Sequence, residues 1–266
     1  MKLGFIGAGE MGGSMIRGFF KAGLSKQNLF VSVRSAESAQ KLSSEWGIRV
    51  SNDNVHVMQE AQYLFLAVKP SQMSAVLQEL VQNGVAPKPI ISMALGWTIE
   101  KIQQVVPNWP VVRIMPNTPL AIGKGVTLFE FSKEVSDSCK KDLLHLFEAV
   151  GCTAEVPGNI FDVATALSGS GPAFVYAFID ALAKAASSQG MDPKTATLLA
   201  VQTVIGAAYM VKQESISPAA LAQKVSTPGG CTAAGMEVLM QSDFAQIISR
   251  VIEATAHKAA VVSKNM

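Results

Sequence analysis

The sequence predicts an α/β domain built on a doubly wound, mostly parallel sheet, followed by an all-helical domain. Three observations predict it. Short apolar runs alternate with segments of helical length through the first half, the pattern of a parallel sheet covered on both faces. A glycine-rich turn lies between the first such run and the first helical segment. From about Asn159 onward no convincing strand survives, while Ala, Leu, Val and Met recur at helical spacing. The expected boundary separates residues 1–159 from residues 160–266.

Lys2–Ile6, Leu29–Val33, Tyr63–Val68, Pro89–Ser92 and Val111–Met115 read as strands, being four to six residues long and rich in Val, Ile, Leu and Phe. Gly12–Ala22, Ala36–Trp46 and Ser71–Gln82 are the intervening helices. Val126–Phe131 and Cys152–Val156 add strands around a helix from Val135 to Val150. The second half reads as helices Pro172–Gln189, Pro193–Lys212, Pro218–Lys224, Thr232–Gln241 and Asp243–Lys264. Pro193 and Pro218 follow the caps Asp192 and Ser217, at the first helical position, where a missing N–H is harmless.

The 266 residues are comfortable for two domains, and 49% are hydrophobic against 16% charged. Twenty-two Lys and Arg against twenty Asp and Glu give a net charge of +2 with no basic run. That balance argues against nucleic acid or an anionic membrane as the main partner. Cys139, Cys152 and Cys231 are odd in number and scattered, as are His56, His145 and His257. Neither a disulfide framework nor a metal site is expected, and a reducing cytoplasm fits.

Leu198–Val211, an apolar stretch of fourteen residues interrupted by Gln202 and Thr203, falls short of the roughly 18–20 residues of a bilayer span and reads as a buried helix. The glycines near Met1 arrive before a signal-peptide core could form. Ala164–Leu167, Ala181–Ser188 and Thr203–Met210 are rich in small apolar residues. A helix apolar all round must be buried, and a bundle of about a hundred residues can hardly bury several. A second copy of the chain, making a homodimer, is the expected cover.

Gly7-Ala8-Gly9-Glu10-Met11-Gly12 is G-x-G-x-x-G between a strand and a helix, the dinucleotide-binding turn of a Rossmann-type domain. The first glycine permits the tight turn and the second the close approach of a pyrophosphate. The third lets helix and strand pack closely, and the helix N-terminus faces the phosphates. An NAD site places an acid at the end of the second strand, about twenty residues on. Here that strand ends Ser32-Val33-Arg34-Ser35, and Glu37 falls in the first turn of the next helix. Arg34 and the hydroxyls suit a 2′-phosphate, so NADP(H) is the expected cofactor and NADH a weaker alternative.

Four further loops sit where strands end or helices begin. Ala67-Val68-Lys69-Pro70 and Met115-Pro116-Asn117-Thr118-Pro119 close strands, on the side where open parallel sheets bind ligands. Leu167-Ser168-Gly169-Ser170-Gly171-Pro172 and Val225-Ser226-Thr227-Pro228-Gly229-Gly230-Cys231-Thr232 lead into helices. The last exposes N–H groups at a helix N-terminus, a place for a small carboxylate, with the Thr232 hydroxyl beside it. Both are also ordinary helix starts.

In order and spacing, GAGEMG, LFLAVKP, MPNTP, LSGSGPA and TPGGCT resemble the pyrroline-5-carboxylate reductases. The resemblance implies a Rossmann domain and a helical domain that interlocks with a partner's, in dimers that often associate further into rings such as decamers. It implies NADPH-dependent reduction of 1-pyrroline-5-carboxylate to L-proline, the last step of proline biosynthesis, by hydride transfer to the C=N carbon. Ile6, Gly7, Ala8, Gly9, Glu10, Met11 and Gly12 would then hold the pyrophosphate, and Arg34 with Ser35 the 2′-phosphate. Asn54, Ala67, Val68, Lys69 and Pro70 would line the rest of the cofactor, with Met93, Ala94, Leu95 and Asn117 near the nicotinamide. Gly229, Gly230, Cys231 and Thr232 would bind substrate, Thr232 matching the family's proposed catalytic threonine. Ser168 and Ser170 would belong to a loop near the dimer contact and active site. Cys231 departs from the family's usual Thr or Ala, and Lys124 from its frequent Glu.

Two other classes share parts of this layout. A 3-hydroxyacid dehydrogenase would need a lysine base on a helix of the second domain, for which Lys184 and Lys212 are candidates. A nucleotide-sensing scaffold would need the glycine turn but not Thr232.

Overall fold

The structure, a computed structural model, describes residues 1–264. Eight strands form one sheet: β1 (Leu3–Ile6), β2 (Leu29–Ser32), β3 (Val50–Ser51), β4 (Tyr63–Leu66), β5 (Ile90–Ser92), β6 (Val111–Pro116), β7 (Gly125–Phe131) and β8 (Gly151–Glu155). Their order is β3-β2-β1-β4-β5-β6-β7-β8. Neighbours are parallel except β6 and β7, which pair antiparallel from Val112↔Phe131 to Pro116↔Thr127. The cause is the connection: a single 3-10 turn, Thr118–Ile122, closed by Gly123 at φ 72°. It is too short for the crossover a parallel pair requires. The chain winds outward both ways from β1 and β4, so the sheet has its topological switch point there.

Seven helices accompany the strands: α1 (Glu10–Lys21), α2 (Ala36–Trp46), α3 (Asn54–Glu60), α4 (Met73–Gln82), α5 (Ile99–Val105), α6 (Asp137–Glu148) and α7 (Phe161–Ser168). Alternate residues of the central strands β1, β4, β5 and β6 feed two cores. Phe5 and Phe65 join Phe19, Phe129 and Phe147 on one face, while Leu64, Leu66 and Ile90 join Leu77 and Ile102 on the other. Sequence periodicity does not reveal β3, α3, α5 or α7, which span two to eight residues. Segments so short carry caps rather than a period. Asp53 accepts from the His56 N–H at 3.0 Å, and Thr98 from the Lys101 N–H at 3.3 Å. The helix α1 begins at Glu10 rather than Gly12, immediately after the second glycine.

The remaining helices are α8 (Gly171–Ser188), α9 (Pro193–Gln213), α10 (Pro218–Val225), α11 (Cys231–Gln241) and α12 (Phe244–Lys264). Asp192 and Ser217 cap α9 and α10 through the N–H groups of Thr195 and Ala220, with Pro193 and Pro218 in their first turns. The chain divides into two compact units: Met1–Ser170 together with the chain from Ala254, and Gly171–Glu253. Thus α7 clusters with the sheet, on the far side of the 159/160 position.

Within the second unit only Ala183, Ala196 and Ala200 form a buried apolar cluster. The expectation that Leu198–Val211 is buried is not met within one chain, since Leu198 is 67% and Leu199 50% exposed. The apolar segments are also longer than the sequence pattern suggests. Gly158–Ser188 and Pro193–Gln213 are both long and apolar enough to cross a membrane by length and composition, and only 11% of an apolar 18-residue stretch in each is buried.

Candidate functional site

The glycine turn does what its three positions require. Gly7 adopts φ 89°, and a Cβ there would lie 2.5 Å from the Ala67 carbonyl oxygen. Gly12 is buried, with a notional Cβ 3.0 Å from that of Ala67. Gly9 meets nothing within 4 Å, leaving open space at the N-terminus of α1, where backbone N–H groups lack helical partners.

A cleft of about 920 Å³ opens beside this turn. Of the residues expected to bind a cofactor, Ile6, Gly7, Ala8, Gly9, Arg34, Asn54, Ala67, Val68 and Lys69 line it. So do Ser32, one of the strand-end hydroxyls expected beside Arg34, its neighbour Val33, and Ser38, Lys41, Leu42, Glu45, Ser71, Gln72 and Val76, which sequence reasoning did not assign to the cofactor. Helical spacing could have found three of them: Ser38, Lys41 and Glu45 recur at three and four residues along α2, on the face that follows Arg34.

Arg34 and Lys41 are exposed and have no carboxylate partner among the described residues. Glu45 is the one acid on the cleft wall, and its Oε1 accepts from the Trp46 indole at 3.1 Å. The cleft therefore offers open glycine backbone, a helix N-terminus and, counting Lys69, three exposed cations without a carboxylate partner among the described residues. That donor set fits a phosphorylated dinucleotide.

The other expected residues are placed differently. Ser35 spends its hydroxyl capping α2, accepting from the Ser38 N–H at 3.2 Å. Asn54 is held from both sides: its Oδ1 accepts from Ser32 Oγ at 2.6 Å and its Nδ2 donates to Glu79 at 2.8 Å. Gln72 accepts from the Lys69 N–H at 3.2 Å, while the Trp97 indole donates to the Pro70 carbonyl at 2.9 Å. These bonds fix the loop after β4. Glu10, Met11, Gly12, Ser35, Pro70, Met93, Ala94, Leu95 and Asn117 are not among the residues lining the cleft.

Asn117 is 6% exposed, and its amide braces the carboxyl end of β6. Its Oδ1 accepts from the Val126 N–H at 2.8 Å and its Nδ2 donates to the Ser168 carbonyl at 2.9 Å. Arg113, on the same strand and 4% exposed, holds the start of α7. It reaches Glu130 and Asp162 at 3.3 Å each and lies 4.0 Å over the Phe161 ring. Burial pushes the Glu130 carboxyl above its ordinary value, opposed by the Arg113 charge. One strand thus clamps α7 at both ends, and Ser168 stands at the held end. Sequence reasoning missed Arg113; a lone arginine in an apolar run was the available signal.

In the second unit, Gly229 adopts φ 74° and Gly230 caps α11 without a side-chain bond. The eleven-residue helix begins at Cys231, so the N–H groups of Cys231 and Thr232 have no helical acceptor. Both residues are exposed in the chain. Lys184 pairs with Asp180 at 2.7 Å across one turn of the exposed face of α8.

Comparison with known proteins bears on the whole length. The family model described as pyrroline-5-carboxylate reductase dimerisation matches residues 159–262, and one described as NADP oxidoreductase, coenzyme F420-dependent, matches residues 2–96. A pyrroline-5-carboxylate reductase of Methanosarcina acetivorans is 37% identical, covering 96% of this chain and 95% of its own. Pyrroline-5-carboxylate reductase 2 of Bacillus subtilis is 35% identical over 99% and 95%. The chain belongs to the pyrroline-5-carboxylate reductase family.

Solved structures of the family agree in fold. The Plasmodium falciparum pyrroline carboxylate reductase with NADP bound is 30% identical, covers 99% of this chain and 98% of its own, and superposes with a TM-score of 0.88. That of Coxiella burnetii, 30% identical and covering 98% of each chain, gives 0.91. Pyrroline-5-carboxylate reductases are NAD(P)H-dependent oxidoreductases that reduce 1-pyrroline-5-carboxylate to L-proline, and this member keeps the family's layout of a Rossmann domain followed by helices.

Proposed function

We propose that this chain performs the last step of proline biosynthesis as a cytoplasmic homodimer, reducing 1-pyrroline-5-carboxylate with NADPH in preference to NADH. The observation that carries the cofactor half is the cleft, where a positive-φ glycine turn and the free cations Arg34 and Lys41 share one wall. The turn Gly7–Gly9 would cradle the pyrophosphate against the N-terminus of α1. Arg34 would hold the 2′-phosphate, with Lys41 adding a solvent-screened charge nearby; an acid at the end of β2 would repel that phosphate. Ala67–Pro70, fixed by Gln72 and Trp97, would line the nicotinamide side with Met93–Leu95. NADPH supplies the hydride.

The substrate half rests on Gly229–Thr232. Two N–H groups at the start of α11, aided by the helix dipole, would seat the substrate carboxylate and so orient the ring. Thr232 would face the ring nitrogen, its hydroxyl oxygen accepting from the N–H of the protonated imine and its O–H donating to the lone pair that nitrogen gains as hydride transfer to carbon makes the secondary amine. Asn117 and Arg113 act at a distance from this chemistry, by setting the position of α7 and Ser168.

The exposed apolar faces of α8 and α9 support self-association, because a monomer rarely leaves such surface in water. We assign those faces to a second copy rather than to lipid, and keep the functional division of the chain at 159/160. The three free cysteines suit a reducing compartment. A ring of dimers, such as a decamer, is compatible with this reading, and light scattering of the purified protein measures it.

The test is the disappearance of reduced nicotinamide on adding 1-pyrroline-5-carboxylate, run in parallel with NADPH and NADH. Proline formation, faster with NADPH, is the expected result. Folded protein that binds NADPH yet turns over neither mixture would overturn the substrate assignment and leave the cofactor site standing.

A further inference from the structure

The strand β3 pairs only with Val31 and Ser32 of β2, so the outer edge of β2 beside Leu29 and Phe30 has no strand partner. A second cavity of about 470 Å³ opens there, at the amino end of β2. The cofactor cleft lies past its carboxyl end, at Ser32–Arg34. Leu29, Val31, Ile48 and Val57, none more than 9% exposed, give the second cavity apolar walls. Phe30 and His56 add two rings with centroids 6.2 Å apart and planes 76° apart.

The charges around this cavity are not balanced. Lys26 and Arg49 line it, are exposed, and have no carboxylate partner among the described residues. Its only acid, Glu60, is engaged by Lys2 at 3.1 Å, and that ammonium lies 5.6 Å over the Phe30 ring. A cavity of a few hundred cubic ångströms with apolar walls and a few polar groups has the make-up of a small-molecule site.

We propose that this cavity is a second ligand site, for a small organic anion carrying a flat ring. The ring packs against Phe30, His56 and the apolar walls; Arg49 and Lys26 take the carboxylate or phosphate. The site is coupled to the cofactor cleft, because the same two elements border both. The helix α3 contributes Asn54 to the cleft and His56, Val57 and Glu60 to the cavity, while β2 contributes Ser32, continued by Val33 and Arg34, to one and Leu29–Val31 to the other. Seating a ligand against α3 shifts the frame in which Asn54 is held by Ser32 and Glu79, and by reciprocity bound cofactor changes the second ligand's affinity.

The experiment is calorimetric titration of the full chain, saturated with NADP⁺ so that the first cleft is closed, with phenyl phosphate, benzoate and inorganic phosphate. At least one ringed anion binds, more tightly than inorganic phosphate. Arg49→Ala and Lys26→Ala each weaken it about tenfold, while both variants bind NADPH within about twofold of the parent, showing that they are folded. A saturating ringed anion also shifts the NADPH dissociation constant by about twofold or more. Failure of both ringed probes to bind, equal affinity for inorganic phosphate, or parental binding by both variants overturns the site; an unmoved NADPH constant overturns the coupling. Because nothing is turned over, the result does not depend on the substrate assignment.

Discussion

The two halves of this chain are comparably apolar in sequence and opposite in outcome. In the sheet unit, Phe5 stacks on Phe65 at 4.5 Å, and Phe147 sits edge-on to Phe19 and Phe129 at 5.2 Å each. In the helical unit the buried apolar cluster is three alanines, while Tyr176, Leu198 and Val238 stand 61–70% exposed. A sheet presents two faces that helices of the same chain can cover. The helices α8 and α9 are apolar around most of their circumference, and their own unit covers one stripe. Hydropathy alone therefore separates apolar from polar segments but not a finished core from half of an interface.

The strongest way to break that contrast is to charge the uncovered face. Leu198 and Ile205, 67% and 43% exposed, lie two turns apart on one side of α9. Replacing both by Asp forces two carboxylates into any interface formed there, each at a cost of several kcal/mol. Self-association should weaken by about 10³-fold or more, giving a monomer by sedimentation, while NADPH binding by the sheet unit persists. An unchanged mass would place the interface elsewhere.

Next in size is the matching change in the finished core. Phe147→Ala removes a fully buried ring and should cost about 3–5 kcal/mol in urea unfolding. Tyr176→Ala, made in the monomeric Leu198→Asp, Ile205→Asp background, should move stability by no more than about 0.5 kcal/mol. Similar losses in both would mean that the helical unit is packed by its own chain.

The same contrast explains what was legible in the sequence. The strands β1, β2, β4, β5 and β6 could be read because each is a continuous apolar run bounded by turn residues. The dinucleotide turn was legible because Gly7 answers a positive φ and Gly12 a close approach to Ala67, with Gly9 at the fixed spacing between them where the backbone stands open. The short elements β3 and α3 were not, since seven residues or fewer hold no period. The strand β7 was legible at Val126–Phe131, but its antiparallel direction was not, because direction depends on the turn at Thr118–Ile122. The commitment of Ser35 to a helix cap, and of Asn117 to Val126 and Ser168, is invisible without coordinates: a hydroxyl or amide at the right position can bind ligand or backbone. Composition marks α9 as an apolar helix, but its exposed residues could not be separated from its buried Ala196 and Ala200.

Two substitutions then sharpen the comparison between the units as sites. Arg34→Asp exchanges a cation for an anion on the cleft wall and should weaken NADPH binding about 100-fold, with NADH moved only a few-fold, since a charge-assisted bond is lost and a repulsion gained. Equal loss for both cofactors would remove Arg34 from the 2′-phosphate. In the other unit, Thr232→Ala should lower kcat by about tenfold or more, at the low end of what positioned proton-transfer groups supply. An unaltered kcat in folded protein would take Thr232 out of the chemistry.

Lys41→Ala is the smallest and the most discriminating change. Lys41 reaches the same cleft as Arg34 from the second turn of α2, with Glu45 one turn further along the wall. Exposed to solvent, it contributes as a screened charge rather than as a bidentate clamp, which is the role Arg34 is suited to. NADPH binding should weaken about two- to fivefold and NADH binding not at all. The loss should shrink as salt is raised, because screening already removes most of an exposed charge's contribution. A loss as large as that of Arg34→Asp, or one indifferent to salt, would mean that Lys41 contacts the phosphate directly and that α2, rather than the end of β2, sets the choice between the two cofactors.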